Sequence, residues 1–293
     1  MPDPISVQVT RGSVVEATHR VHAVAVDRSG AVVEAAGEVE LVTYLRSSAK
    51  PLQALPLVRA WPDVPDDLVA IACASHLGRP EQLDAVRRLL ALAGADERLL
   101  ETGPEPSAIA HNCSGKHAGF IAVCRARGWD PHGYSELSHP LQQELLREVS
   151  ETSRIPVAEI PVGVDGCGVP TFAMPLVATA RLFGSIQARD GGARVAGAMR
   201  AHPELLRGPV AADAKLITEL AGWIAKGGAE GLFCAATPDG LALALKVEDG
   251  SFRAIVPAVA VFLRRLGIDP GRLGPTPVVN SHGAAVGRIS ALS

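Results

Sequence analysis

A serine three residues before a lysine, in Arg46-Ser47-Ser48-Ala49-Lys50-Pro51, is the first place in this chain where nucleophilic chemistry can be read. One helical turn puts both side chains on a shared face, so a neutral Lys50 amine can take the proton of the Ser47 hydroxyl as it attacks a carbonyl. A solvated helix start has the same composition, and the spacing alone does not separate the two. Downstream, Cys73-Ala74-Ser75-His76 is a corner of small residues that offers a second hydroxyl to a cleft, with His76 free to hydrogen-bond nearby; a capped helix junction reads the same way. The densest polar cluster is His111-Asn112-Cys113-Ser114-Gly115-Lys116-His117. There Cys113 lies one turn from both Lys116 and His117, which suits two metal ligands or an anion site at a helix start. Finally, Gly163-Val164-Asp165-Gly166-Cys167-Gly168 breaks a β-like run with glycines around a carboxylate and a thiol, as a substrate contact, a metal or redox ligand, or a simple turn would.

These segments need elements to hold them. Val21 to Asp27 and Ala31 to Glu34 flank Asp27-Arg28-Ser29-Gly30 as an N-terminal hairpin, and Gly231 to Ala236 and Leu241 to Val247 flank Thr237-Pro238-Asp239-Gly240 as a late one. Between them the pattern is helical. Pro80 opens a helix through Leu83, Val86, Leu90 and Ala93 with Gly94 as its stop, and Pro140 opens another through Leu141, Leu145, Leu146 and Val149. Leu68 to Ala72, Ser114 to Arg127 and Ala212 to Ala221 read as further helices, and Pro257 to Leu266 as one that closes the chain before Gly267. The expectation is an α+β fold with one catalytic domain over residues 1–293. Its sheet lobe would come from both chain ends, about 1–44 and 225–293, with a mainly helical lobe over about 45–224.

Composition narrows the function. With 28 basic and 31 acidic residues among 293, and a net charge of -3, nothing neutralises a phosphate backbone, so no nucleic-acid partner is expected. The apolar runs fall short of the roughly 20 residues a bilayer span needs, and the first residues lack a secretion signal. A soluble, cytoplasmic protein without a membrane partner follows as the expectation. The cysteines, Cys73, Cys113, Cys124, Cys167 and Cys234, include no C-x-x-C pair and read as free thiols, with Cys124 and Cys234 in the core. Lysine occurs only at Lys50, Lys116, Lys215, Lys226 and Lys246. A lysine inside a motif therefore carries more weight here than usual.

Ser47 and Lys50 have the S-x-x-K spacing of penicillin-recognising serine enzymes, but the chain has no SDN or KTG triplet. Taken together and in order, the four segments resemble the asparaginase II family, the rhizobial-type L-asparaginases. That resemblance implies a fold similar to serine β-lactamases and DD-peptidases, and hydrolysis of L-asparagine to L-aspartate and ammonia. It further implies two serine-lysine pairs, Ser47 with Lys50 and Ser75 with a lysine of the late hairpin, here Lys246. By the same resemblance Cys113, Lys116 and Cys167 would hold zinc, Arg46, Asn112 and Asp165 would surround the substrate, and the assembly would be a homodimer. Glutamine hydrolysis, another serine-lysine amidohydrolase activity, or a non-catalytic zinc- or thiol-binding role remain the alternatives.

Overall fold

The computed structural model describes residues 2–104 and 107–292. Its main sheet joins the two ends of the chain. The N-terminal part supplies β1 (Ile5–Arg11), β2 (Val14–Val26) and β3 (Val32–Ala36); β4 (Val42–Tyr44) belongs to a smaller sheet with β5 (Val162–Val164) and β6 (Pro170–Pro175). Late in the chain come β7 (Ile224–Gly227), β8 (Leu232–Ala236), β9 (Ala242–Val247), β10 (Thr276–Val279) and β11 (Ala285–Ala291). The large sheet runs β10-β11-β1-β2-β9-β8-β7, with β3 also paired to β2, and its pairings are antiparallel. Both expected hairpins form, β2–β3 and β8–β9. In the first, Asp27 Oδ1 accepts from the Ser29 N–H at 2.8 Å and the Ala31 N–H at 3.1 Å, so the side chain closes the turn the sequence suggested.

The helices are α1 (Lys50–Gln53), α2 (Leu55–Ala60), α3 (Asp66–Ala72), α4 (Pro80–Leu92), α5 (Ser114–Arg127), α6 (Pro140–Ser153), α7 (Leu176–Ser185), α8 (Gly192–Ala201), α9 (Pro203–Leu206), α10 (Ala212–Glu219) and α11 (Ile255–Arg265). Proline opens α4 and α6, where the missing N–H costs nothing, and left-handed Gly128 ends α5. The α+β architecture expected from the sequence is the one observed. Two details differ from that reading. Helix α7 lies in the supposed helical half, yet it packs on β2, β8 and β9, because its Leu176, Val177, Leu182 and Phe183 are buried and need an apolar sheet face. The chain also continues past α11 into the β10–β11 hairpin, whose strands are short and interrupted by Pro277 and Gly287, so they do not stand out in the sequence.

Two close contacts bring the site together. Gly115 and Gly119 form a stripe on α5 that faces α3: a Cβ at Gly115 would stand 2.1 Å from the Ile71 carbonyl oxygen, and one at Gly119 would meet Ala72 Cβ at 3.3 Å. Helix α5 can therefore press its N-terminus against the end of α3. On the other side, Gln82 closes the start of α4 by accepting from the Leu77 and Arg79 N–H groups and donates to the Glu204 and Leu205 carbonyls, fixing α9 beside residues 75–77. From there the Leu206 carbonyl accepts the Ser75 N–H at 2.6 Å. Gly115→Ala is expected to push α5 off α3, lowering stability by about 1–3 kcal/mol or more, whereas Gly94→Ala meets open space and pays only for its left-handed backbone. Thermal unfolding of the two variants checks this, and equal shifts would exclude the close-approach account.

Candidate active site

Residues Arg46–Ala49 form a 3-10 turn that runs directly into α1. Arg46 has φ +47°, a left-handed conformation that is uncommon for a side-chain-bearing residue and is held here by tertiary bonds. Its N–H donates to Thr171 Oγ1 at 3.2 Å, its Nε donates to Asp165 Oδ1 at 2.8 Å, and the preceding Leu45 N–H bonds the Phe172 carbonyl at 2.8 Å. The serine that follows, Ser47, is thus presented half-buried at the head of the turn.

Lys50 is 1% exposed and Ser75 4% exposed. A buried ammonium must find acceptors, and Lys50 Nζ donates to the Ala74 carbonyl and, at 3.1 Å, to Ser75 Oγ. Lys50 and Ser47 are joined only through the backbone, the Lys50 N–H donating to the Ser47 carbonyl, so the expected side-chain pairing within one turn is not what forms. The reason is that the lysine side chain dives past its own turn toward the C-terminal end of α3. Lys50 is nonetheless joined to Ser75, and Ser47 stands three residues before that lysine in the adjoining 3-10 turn.

Lys246 lies in β9, opposite His22 and Leu232, with Nζ donating to the Val247 carbonyl and with Glu230, Asp249 and Glu248 as its charged neighbours. The expected pairing of Ser75 with Lys246 is therefore corrected: the lysine beside Lys50 is Lys226, on the edge strand β7, which packs on the 3-10 turn. Lys226 is fully buried, donates to the Gly227 carbonyl at 2.8 Å, and faces Asp213 Oδ2 at 3.5 Å. Burial pulls its pKa down to about 8, with Lys50 and Arg207 pushing the same way and Asp213 opposing them. Reading the sequence missed both Lys226 and Asp213. For Lys226 the available signal was a charged residue directly after the apolar run Trp223-Ile224-Ala225, followed by two glycines, in a chain with five lysines.

The second and third segments split between roles. His76 Nε2 lies 2.8 Å from Ser114 Oγ while its Nδ1 accepts from the Gly78 N–H, and burial pushes its pKa down to about 4, so it is a neutral structural brace. Asn112 supports that brace through its carbonyl, which accepts the His76 N–H at 3.1 Å, and the residue itself is exposed. His117 turns away into the core against Phe120 and Tyr134, its Nδ1 2.8 Å from Tyr134 Oη. Of the two partners one turn from Cys113, then, only Lys116 joins it. Lys116 Nζ donates to Cys167 Sγ at 3.0 Å. The Cys167 hydrogen bond draws the Cys113 thiol well below its ordinary pKa, aided by Lys50 and Lys116 against burial, while Cys167 is pushed up as the partner that keeps the proton. Burial works against charge on Lys116, but Cys113, Cys167 and Asp165 outweigh it and raise its pKa. Asp165 links the two halves, since the same carboxylate holds Arg46.

Among the described residues no group of three or more His, Cys, Asp or Glu side chains converges on a metal position. Two adjacent thiols and an amine do converge, at Cys113, Cys167 and Lys116, and this donor set fits zinc once all three are deprotonated.

The L-asparaginase II family model matches residues 7–291, nearly the whole chain. The chain belongs to the L-asparaginase II family. Membership makes it an amidohydrolase by family, and the four segments read above all fall within the match. Searching curated proteins gives no significant match. Among solved structures it is similar to one described as the octameric penicillin-binding protein homologue from Pyrococcus abyssi, at 12% identity, with 86% of this chain and 74% of that chain covered and a TM-score of 0.39. No helix among the described residues is long and apolar enough to cross a membrane.

Metal analysis after zinc loading is expected to find about one zinc per chain, lost in Cys113→Ser and Cys167→Ser and kept in Cys124→Ser, whose thiol burial pushes up to about 12. Unchanged zinc in all three variants would remove these residues from any metal site.

Proposed function

We propose that this protein hydrolyses the side-chain amide of L-asparagine to L-aspartate and ammonia, with Ser47 as nucleophile and the buried lysines as its bases. The observation that carries the reading is Lys50 Nζ within 3.1 Å of Ser75 Oγ, next to a presented Ser47 and with Lys226 behind. An amide is a poor electrophile, so the site must supply an activated nucleophile and then protonate the departing ammonia. Ser47 Oγ attacks the amide carbon as its proton passes, through the Ser75 hydroxyl, to a neutral lysine amine. The same lysine returns that proton to the leaving nitrogen, and the C–N bond breaks to leave an aspartyl ester on Ser47. Water then attacks the ester, giving up its proton along the same route, and L-aspartate is released with Ser47 restored.

Arg46, next to Ser47 in the chain, pairs with Asp165 at 2.8 Å. Their ion pair, part-buried, is placed to meet the α-carboxylate and α-amino group of an amino-acid substrate. Zinc bound by Cys113, Lys116 and Cys167 would supply a fixed positive charge and Lewis acidity beside the pocket. Those three residues would hold it, while Lys50 and the two serines carry the proton path.

Three outcomes test this. Ser47→Ala and Lys50→Ala are each expected to lower kcat for ammonia release by roughly 10²-fold to 10⁴-fold or more with the fold intact, and the double variant to be little worse than either, since they act in one unit. Lys226→Ala is expected to behave like Lys50→Ala, and Lys246→Ala like wild type; the reverse order would restore the late-hairpin lysine to the site. Because the neutral form of Lys226 lies above about pH 8, activity should climb through that region and fall below it, and a flat profile from pH 6 to 9 would sink the lysine-base mechanism. Parallel assays with L-glutamine and a β-lactam place the substrate range.

A further inference from the structure

Lys226 sits among a small set of charged and titratable groups. Asp213 faces it from α10, Lys50 from α1, Arg207 from the segment after α9, Cys73 from the end of α3 and Cys234 from the neighbouring strand β8. Burial holds the Cys73 and Cys234 thiols up at about 12, so both stay neutral. Asp213 is therefore the one carboxylate among these described residues, and it is 2% exposed. Its two oxygens are divided: Oδ1 accepts from the Ala214 N–H at 3.1 Å, which anchors the side chain to the start of α10, and Oδ2 faces Lys226 Nζ at 3.5 Å. On the far side of the lysine, the Gly227 carbonyl takes a second N–H.

We propose that Asp213 is a positioning residue for the reaction: held on α10, its carboxylate aims the Lys226 amine and sets the pH at which that amine gives up its proton. The inference rests on the serine-lysine reading only for its consequence in catalysis; the geometry of the pair stands apart from it. Burial and two neighbouring cations drive the ammonium toward its neutral form, and a single negative charge holds it back. Without Asp213, Lys226 would lose its proton at lower pH and keep only the Gly227 carbonyl as a fixed acceptor. Asp213 does not touch the presented Ser47, so its effect should fall on kcat and its pH profile and leave KM for asparagine in place.

Five lysines make the test direct. With 13Cε-labelled lysine in the full chain, and the Lys226 signal assigned by its loss in Lys226→Arg, the titration of that one amine can be followed by NMR. Asp213→Asn keeps the shape and the Oδ1 acceptor for Ala214 while removing the charge. Its Lys226 midpoint is expected to fall by about 1–3 units from the wild-type value, the acid limb of kcat to move to lower pH with it, and KM to stay within twofold. Asp213→Glu keeps the charge and should hold the midpoint near that of wild type, which also decides the matter if Asp213→Asn does not fold by circular dichroism. An unmoved Lys226 midpoint in Asp213→Asn, or a drop in Asp213→Glu as large as that expected of Asn, would overturn the proposal. If the midpoint shifts as expected but Lys226→Arg turns over asparagine like wild type, the assignment of Asp213 to Lys226 stands and the serine-lysine mechanism fails.

Discussion

Two lysine amines inside one protein, Lys50 at 1% exposure and Lys226 at 0%, are the constraint around which the rest is arranged. An unpaired ammonium in such surroundings is costly by several kcal/mol, and a chain that buries two must surround each with acceptors or let it go neutral. Both solutions are present. Lys50 has the Ala74 carbonyl and the Ser75 hydroxyl; Lys226 has the Gly227 carbonyl and Asp213, and its affinity for the proton is reduced as well. Those acceptors come from the end of α3, from β7 and from α10. Keeping the lysines satisfied therefore means keeping the helical segments and the edge of the large sheet in register with each other.

That edge explains the position of the chemistry. β7 ends the strand order, so one side of it has no neighbouring strand, and the 3-10 turn that carries Ser47 packs against it. On the opposite flank the glycine stripe of α5 lets a helix N-terminus come within contact of the α3 backbone. Cys113, at the start of that helix, comes within reach of the Lys50 charge where those two side chains are missing. The five thiols sort by the same logic. Cys73, Cys124 and Cys234 are surrounded by packing that favours the protonated form, each pushed up to about 12, whereas Cys113 has a hydrogen-bond donor and two lysines at hand and goes the other way.

Local order was legible because it depends on near neighbours. Pro80 and Gly94 delimit α4, Gly128 closes α5 and Pro140 opens α6, and the Asp27 and Gly240 turns announce two hairpins, each by a mechanism confined to a few residues. Harder to read were elements whose character comes from what they touch. α7 is not among the helices the sequence pattern announces and takes its place from the sheet it covers, and β10 and β11 are ladder partners without a strong pattern of their own.

The amino-acid sequence by itself determined which residue types meet the chemistry: the serine-lysine spacing at Ser47 and Lys50, the Ser75 corner, the Cys113 and Lys116 turn and the Asp165 and Cys167 loop, all of which the fold brings into one region. It also determined the α+β class through periodicity and turn chemistry. Only the tertiary structure decided the partners. Lys50 bonds Ser75 across 25 positions of chain instead of Ser47 within its own turn, Lys226 takes the place expected of Lys246, and His117 leaves its cluster for Tyr134. Spacing along a chain fixes direction for one helical turn at most, and a long side chain that must satisfy a buried charge follows the nearest acceptor, which is a property of the packed molecule.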